Sequence, residues 1–282
     1  MPDRPARKPP QQHRGTVLRT ERLTPHMVRV VLGGEGLSAV DAGEFTDHYV
    51  KLAFPLPDIT YPEPFDLARI RAEMPRHAWP TTRTYTVRSW EPELRELTLD
   101  FVIHGDEGVA GPWAARARPG DQLYFAGPGG AYRPQPSADW HLLVGDESAL
   151  PAIAASLEGM PDDAEGIALI EVADAAEEQK LTPPSGMELR WLHRGDARVG
   201  SLLLRAVREL DWRAGTLQAF VHGEAGFVKE LRRHLRLQRE VPRAQLSVSG
   251  YWRLGSNEDG WQASKREWNA QVEAEQESGA AN

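Results

Sequence analysis

Gly127-Pro128-Gly129-Gly130-Ala131-Tyr132-Arg133-Pro134-Gln135-Pro136-Ser137-Ala138 divides the chain into two different rhythms. Its first four residues are all glycine or proline and two more prolines follow, so it reads as a linker. Upstream, between about Arg14 and Phe125, short runs of β-branched and apolar residues alternate with polar ones: Thr16–Leu18, Met27–Leu32, His48–Phe54, Arg83–Ser89, Leu97–Ile103 and Gln122–Phe125. Runs of that length, separated by Gly and Pro, predict a small antiparallel barrel. One helix interrupts them, with Pro112 in its first turn and Trp113–Arg118 leading to the Pro119-Gly120 stop.

Downstream the period changes. Apolar strands at Trp140–Val144, Ile167–Val172, Leu189–Leu192, Leu217–His222 and Gln245–Ser249 mix with helices at Leu150–Leu157, Ser201–Glu209, Phe227–Gln238 and Glu258–Val272. Such alternation predicts a mainly parallel sheet with both faces covered. The expected organisation is a β-barrel domain over residues 13–133 and an α/β domain over 138–272. The polar ends, 1–12 and 273–282, read as disordered tails. Asp58–Pro80, with prolines at 62, 64, 75 and 80, reads as a long excursion between strands, either a binding loop or a tolerated insertion.

Composition narrows the function. The chain has 282 residues, of which 40% are hydrophobic and 26% charged, and its net charge is −8. Nucleic acid and anionic membrane are therefore poor partners. The absence of cysteine removes disulfides, thiolate catalysis, cysteine-held zinc and iron–sulfur clusters. Any redox chemistry then needs an organic cofactor. No apolar leader or membrane-length stretch is visible, so the expected location is the cytoplasm. The sequence does not name the oligomeric state, and a monomer is the favoured expectation. The nine histidines include no pair at helical ligand spacing, and no metal site is expected.

Four segments carry candidate chemistry. In Arg83-Thr84-Tyr85-Thr86 strand alternation puts Arg83 and Tyr85 on one face, which suits either a structural cross-strand pair or a flat anionic dinucleotide. Phe101-Val102-Ile103-His104-Gly105 leads through Gly108-Val109-Ala110-Gly111-Pro112-Trp113-Ala114, a strand–glycine turn–helix start that is either ordinary or a phosphate site. Gly145-Asp146-Glu147-Ser148-Ala149-Leu150-Pro151 follows the first α/β strand, where parallel sheets bind ligands. His222-Gly223-Glu224 closes another strand at the same edge. Neither G-x-G-x-x-G nor a phosphate-cradling G-x-x-x-x-G-K-[ST] loop occurs, and no G-x-S-x-G elbow is present.

Taken in order, R-x-Y-T at Arg83, F-V-x-H-G at Phe101, G-x-A-x-x-W-A at Gly108, P-G-D at Pro119, G-P-x-G at Gly127, G-D-E-x-A-L-P at Gly145 and G-Y-W-R-x-G-x-x-E-x-x-W at Gly250 resemble the siderophore-interacting proteins. These are FAD-dependent ferric-siderophore reductases related to ferredoxin reductases, and the likeness runs from about Gly15 to Trp268. The resemblance implies a flavin-binding barrel followed by an NAD(P)H domain. FAD would be bound by Arg83, Tyr85, Thr86, Val102, His104, Ala110, Gly111, Trp113 and Ala114, with the Tyr85 ring on the isoalloxazine. NADPH or NADH would meet Gly145 to Pro151 and His222, Gly223 and Glu224. Lys51, Tyr251, Trp252 and Arg253 would meet a ferric siderophore, the two cations attracting its negative charge.

Some positions depart from the family pattern. The turn that often reads G-P-A-S-x-W-A has Gly111 in place of the serine, and Gly129 stands where a basic residue is common. Electrons would run from nicotinamide through flavin to ferric iron, with no general base required. A general NAD(P)H:flavin or quinone oxidoreductase and a non-catalytic siderophore-binding protein are the alternatives. NADPH and NADH are not separated: Glu171 and Asp174 would disfavour a 2′-phosphate, whereas Arg194 could favour one.

Overall fold

The computed structural model describes residues 11–105 and 108–278, which group into two compact units. The first takes the described residues up to Arg22, with Val28–Gly43 and His48–Gly130; the second takes Leu23–Met27, Glu44–Asp47 and the described residues from Ala131 onward.

Six strands close the barrel: β1 (Gln12–Thr24), β2 (Met27–Gly33), β3 (Tyr49–Phe54), β4 (Thr81–Glu91), β5 (Glu96–Val102) and β6 (Gln122–Gly129), in the order β1-β2-β5-β4-β3-β6. Alternation decides which side chains enter the core. Val50 and Leu52 of β3 are fully buried with Val30, Leu97, Leu99, Phe101 and Phe125, whereas Tyr49 and Lys51, which alternate with them, are exposed. Closure leaves no free edge to pair with another chain.

The excursion at 58–80 is folded. Its helix α1 (Leu67–Glu73) is capped by Asp66, whose Oδ1 accepts from the N–H groups of Ala68 and Arg69. Phe65, Leu67 and Ile70 pack on Ala53 of β3, with Tyr124 of β6 alongside. This is a second small core outside the barrel wall. Gln12 holds it from the other side: its amide donates to Phe65 O at 2.6 Å and accepts from Leu67 N–H at 2.7 Å.

Three expectations need correction. β1 begins at Gln12, inside the expected tail, because Gln12 pairs with Ala126 of β6. β6 continues through Gly127 to Gly129, opposite Tyr49, although glycine and proline there read as a break. The last helix reaches Ser278 rather than Val272; residues 1–10 and 279–282 lie outside the described residues.

The second unit is an all-parallel sheet of β7 (Trp140–Gly145), β8 (Glu165–Val172), β9 (Gly186–His193), β10 (Leu217–Glu224) and β11 (Leu246–Trp252), in the order β11-β10-β7-β8-β9. Helices α3 (Leu150–Glu158), α4 (Ser201–Arg208), α5 (Ala225–Arg233) and α6 (Glu258–Ser278) accompany it; α2 (Ala110–Arg116) belongs to the barrel unit. The chain steps from β7 outward to β8 and β9, then returns to β10 on the other side of β7. That reversal puts a topological switch point between the carboxyl ends of β7 and β10.

Candidate functional site

On the barrel, register assigns the faces. Arg83 lies opposite Leu52 and Tyr85 opposite Val50, while Thr84 lies opposite Lys51. Arg83 and Tyr85 therefore share one face of β4, and Lys51 is on the other. The Tyr85 ring sits 4.3 Å from Phe101, which is 5.8 Å from Trp113. Tyr85 and Trp113 are half-buried, so this aromatic run ends in accessible ring surface on a rigid base. Arg83 donates from Nη1 to Thr82 O at 2.8 Å, and the Thr86 side chain is buried.

β5 ends at half-buried Val102, and exposed His104 follows. Gly105 and Gly108 both adopt positive φ, 65° and 81°, with no atom within 4 Å of where a Cβ would stand. The turn is open. α2 then starts without a side-chain cap. Ala110 and Ala114 are buried in the barrel core, so both can offer a ligand only main chain. Pro112 has no N–H and Trp113 N–H donates to Val109 O, which makes Ala110 and Gly111 the donors at this start. A Cβ on Gly111 would sit 3.2 Å from Val102 O, so glycine there accompanies close packing of helix on strand.

The carboxyl edge of the parallel sheet has another character. Asp146 is fully buried, and Ser148 N–H and Oγ–H donate to its Oδ1 at 3.0 and 2.5 Å. Glu224 N–H and Trp252 Nε1–H donate to its Oδ2, both at 2.8 Å. This one carboxylate ties together the ends of β7, β10 and β11. Burial pushes its pKa up to about 6, against the opposing pull of Ser148. Gly145 admits the arrangement, since a Cβ there would meet Ala149 Cβ at 2.5 Å and His222 O at 2.9 Å.

Glu224 caps α5 through the N–H groups of Gly226 and Phe227, and its Oε1 accepts from Leu254 N–H at 3.2 Å. His222 is buried between Phe220, stacked at 3.7 Å, and Tyr251, edge-on at 4.9 Å, with Nε2 3.0 Å from Ser247 Oγ. Burial, with Lys265 in support, lowers its pKa to about 3, so this imidazole is neutral. The buried side chains of Asp146, His222 and Glu224 are thus engaged with protein groups and hold the edge in shape. Ala149 and Leu150 are buried as well, which leaves Glu147 and Ser148 as the half-buried side chains of that turn before Pro151. Tyr251 and Trp252 are half-buried and Arg253 is exposed.

Comparison with known proteins matches residues 16–132 to the siderophore-interacting FAD-binding domain and residues 138–255 to the siderophore-interacting protein model. Ferric vibriobactin reductase ViuB of Vibrio cholerae is 34% identical, over 86% of this chain and 90% of that protein. The chain belongs to the siderophore-interacting protein family. A relative named NADPH-dependent ferric-chelate reductase, from Escherichia coli, is 35% identical over 84% of this chain and 91% of its own length. The crystal structure of the siderophore-interacting protein SipS from Aeromonas hydrophila superposes with a TM-score of 0.79 at 30% identity, covering 93% of this chain and 99% of that one. A ferredoxin reductase of carbazole 1,9a-dioxygenase, at 16% identity and a TM-score of 0.60, over 88% of this chain and 71% of that one, shares the fold.

Two features of this siderophore-interacting protein were not visible as spacing. Phe101 supports Tyr85, and only the strand pairing brings them together. Arg194, directly after β9, forms a two-pronged pair with Glu147 at 2.7 and 3.3 Å and reaches buried Glu171 at 3.3 Å. Glu171 is fully buried and also accepts from Gly200 N–H at 2.7 Å, whereas exposed Asp174 accepts from the N–H of Ala176. Among the described residues no three His, Asp or Glu side chains come together as a metal site, and no helix is long and apolar enough to cross a membrane.

Proposed function

We propose that this chain is an NAD(P)H-dependent ferric-siderophore reductase that carries FAD on its barrel and works in the cytoplasm. The observation that carries the reading is the Tyr85–Phe101–Trp113 aromatic run, with the positive-φ glycines Gly105 and Gly108 and a helix start that has no side-chain cap following it. A flat ring with an anionic tail needs those surfaces. Tyr85 stacks on the ring and Arg83 meets the pyrophosphate, which the main chain of Ala110 and Gly111 also binds. Gly111 supplies no hydroxyl, so the main chain does this without the serine common in the family.

In the second unit the Gly145–Ser148 turn stands at the switch point where a dinucleotide lies across a sheet of this order. Asp146 and Glu224 fix its shape, Tyr251 and Trp252 flank it on β11, and exposed Arg253 supplies positive charge for an anionic ferric complex, as exposed Lys51 does on the barrel. When bound, FAD supplies the conversion between the two electrons of a hydride and the single electrons that ferric iron accepts. Two Fe(III) become two Fe(II) for each nicotinamide oxidised, with release of one proton. Hard oxygen donors hold Fe(II) less tightly, which frees the metal.

The test is direct. Purified protein should be yellow or turn so with FAD, and with NAD(P)H and a ferric catecholate it should deliver Fe(II) to a ferrous trap faster than free FAD does. A trap signal equal to free FAD defeats the assignment. Faster turnover on quinones than on ferric siderophores would make the protein a general reductase instead.

A further inference from the structure

Resting on the reductase reading above, we infer that this chain takes NADH in preference to NADPH, and that Glu147 sets the preference by occupying Arg194. In a parallel sheet with this strand order, the ribose of a dinucleotide is read near the carboxyl end of the strand that follows the glycine turn's own strand. Here that strand is β8 and its acidic residue is Glu171. An arginine close by is what normally accommodates a 2′-phosphate.

Arg194 is the cation in place, and it is already engaged. Its Nη2 lies 2.7 Å from Glu147 Oε1 and its Nη1 is 3.3 Å from both Glu147 Oε2 and Glu171 Oε1. The guanidinium and the Glu147 side chain are each only 19% exposed, so both planar prongs are turned inward on carboxylates. One positive and two negative charges leave the cluster at −1. Glu171 is fully buried, and its second oxygen has no partner among the described residues. Arg194 therefore cannot leave without stranding a buried carboxylate.

A 2′-phosphate would have to displace Glu147 and then sit beside it, next to a cluster that is already negative. A 2′-hydroxyl has no such conflict, because the Glu147 carboxylate accepts its hydrogen bond while staying on Arg194.

The experiment measures kcat/KM for NADH and for NADPH on the FAD-loaded full chain, wild type and two variants, with flavin content checked by absorbance. Wild type should favour NADH by about tenfold or more, the scale that one unfavourable charge contact produces. Glu147→Gln removes that charge and should move the ratio toward NADPH by about tenfold. Glu147→Lys, which adds a cation, should move it further in the same direction. A wild type that prefers NADPH, or a ratio that neither variant changes, overturns the inference while leaving the reductase intact. Failure of both nucleotides to reduce the flavin overturns the reductase reading itself.

Discussion

The two units prepare for ligands in opposite ways. The barrel offers surfaces: ring faces on Tyr85 and Trp113, and two glycines, Gly105 and Gly108, where a Cβ would meet no described atom within 4 Å. The sheet edge offers a shape, because its polar groups are spent on each other. Asp146 satisfies four donors, Glu224 three, and Arg194 two carboxylates. A residue in a binding motif can therefore contact a ligand or hold the motif in form, and burial tells which.

If that contrast is right, the largest effects belong to the sheet edge and appear as stability. Gly223 has φ 136°, and a Cβ there would stand 2.7 Å from both Asp146 Oδ2 and Phe227 Cζ. Gly223→Ala should cost about 3 kcal/mol or more through strain and overpacking, read as a lowered midpoint in urea. An unchanged midpoint would mean the knot is loose.

Asp146 gives a sharper version. Its folded pKa of about 6 lies above its unfolded value, so between about pH 4 and 6 the native state holds a proton the unfolded chain has released. Stability from this group is thus fully present below pH 4 and lost as pH rises through 6. The advantage of wild type over Asp146→Asn should shrink by about 3 kcal/mol from pH 4 to pH 7. A difference that grows with pH would reverse the sign assigned to burial.

On the barrel the effects should be smaller and fall on binding. Tyr85→Ala removes a stacking surface over an intact core and should weaken FAD binding by about fivefold, roughly 1 kcal/mol, in a fluorescence titration, with little change in melting. Lys51→Ala should do least. Lys51 lies on the strand face opposite Arg83 and Tyr85, so FAD affinity should hold while the rate with an anionic ferric complex falls about twofold and loses part of its salt dependence.

The order of barrel and parallel sheet was legible because hydrophobic period is local, and the switch at Gly127–Ala138 shows in the residues themselves. β6 was cut short because Gly127 and Gly129 are breakers by propensity, and only their partner Tyr49 on β3 reveals that they continue the ladder. The helix in the 58–80 excursion was hidden among prolines, and its reason to form is the apolar surface of Ala53 and Tyr124. The motifs marked the right neighbourhoods at Tyr85 and Gly145. They did not reveal that the Asp146 carboxylate is used by the indole of Trp252, 106 positions away, since spacing carries no record of which acceptor a distant donor finds.

Trp261 of α6 fills the space left by the missing side chain of Gly250, where a Cβ would come within 2.9 Å of its ring. β11 is the outermost strand on that side of the sheet. Proteolytic trimming ahead of Ser256 would strip away that ring and bare an apolar flank beside an unpaired strand, the kind of boundary that recruits another copy of the chain. Limited digestion of such material should therefore announce itself first as self-association.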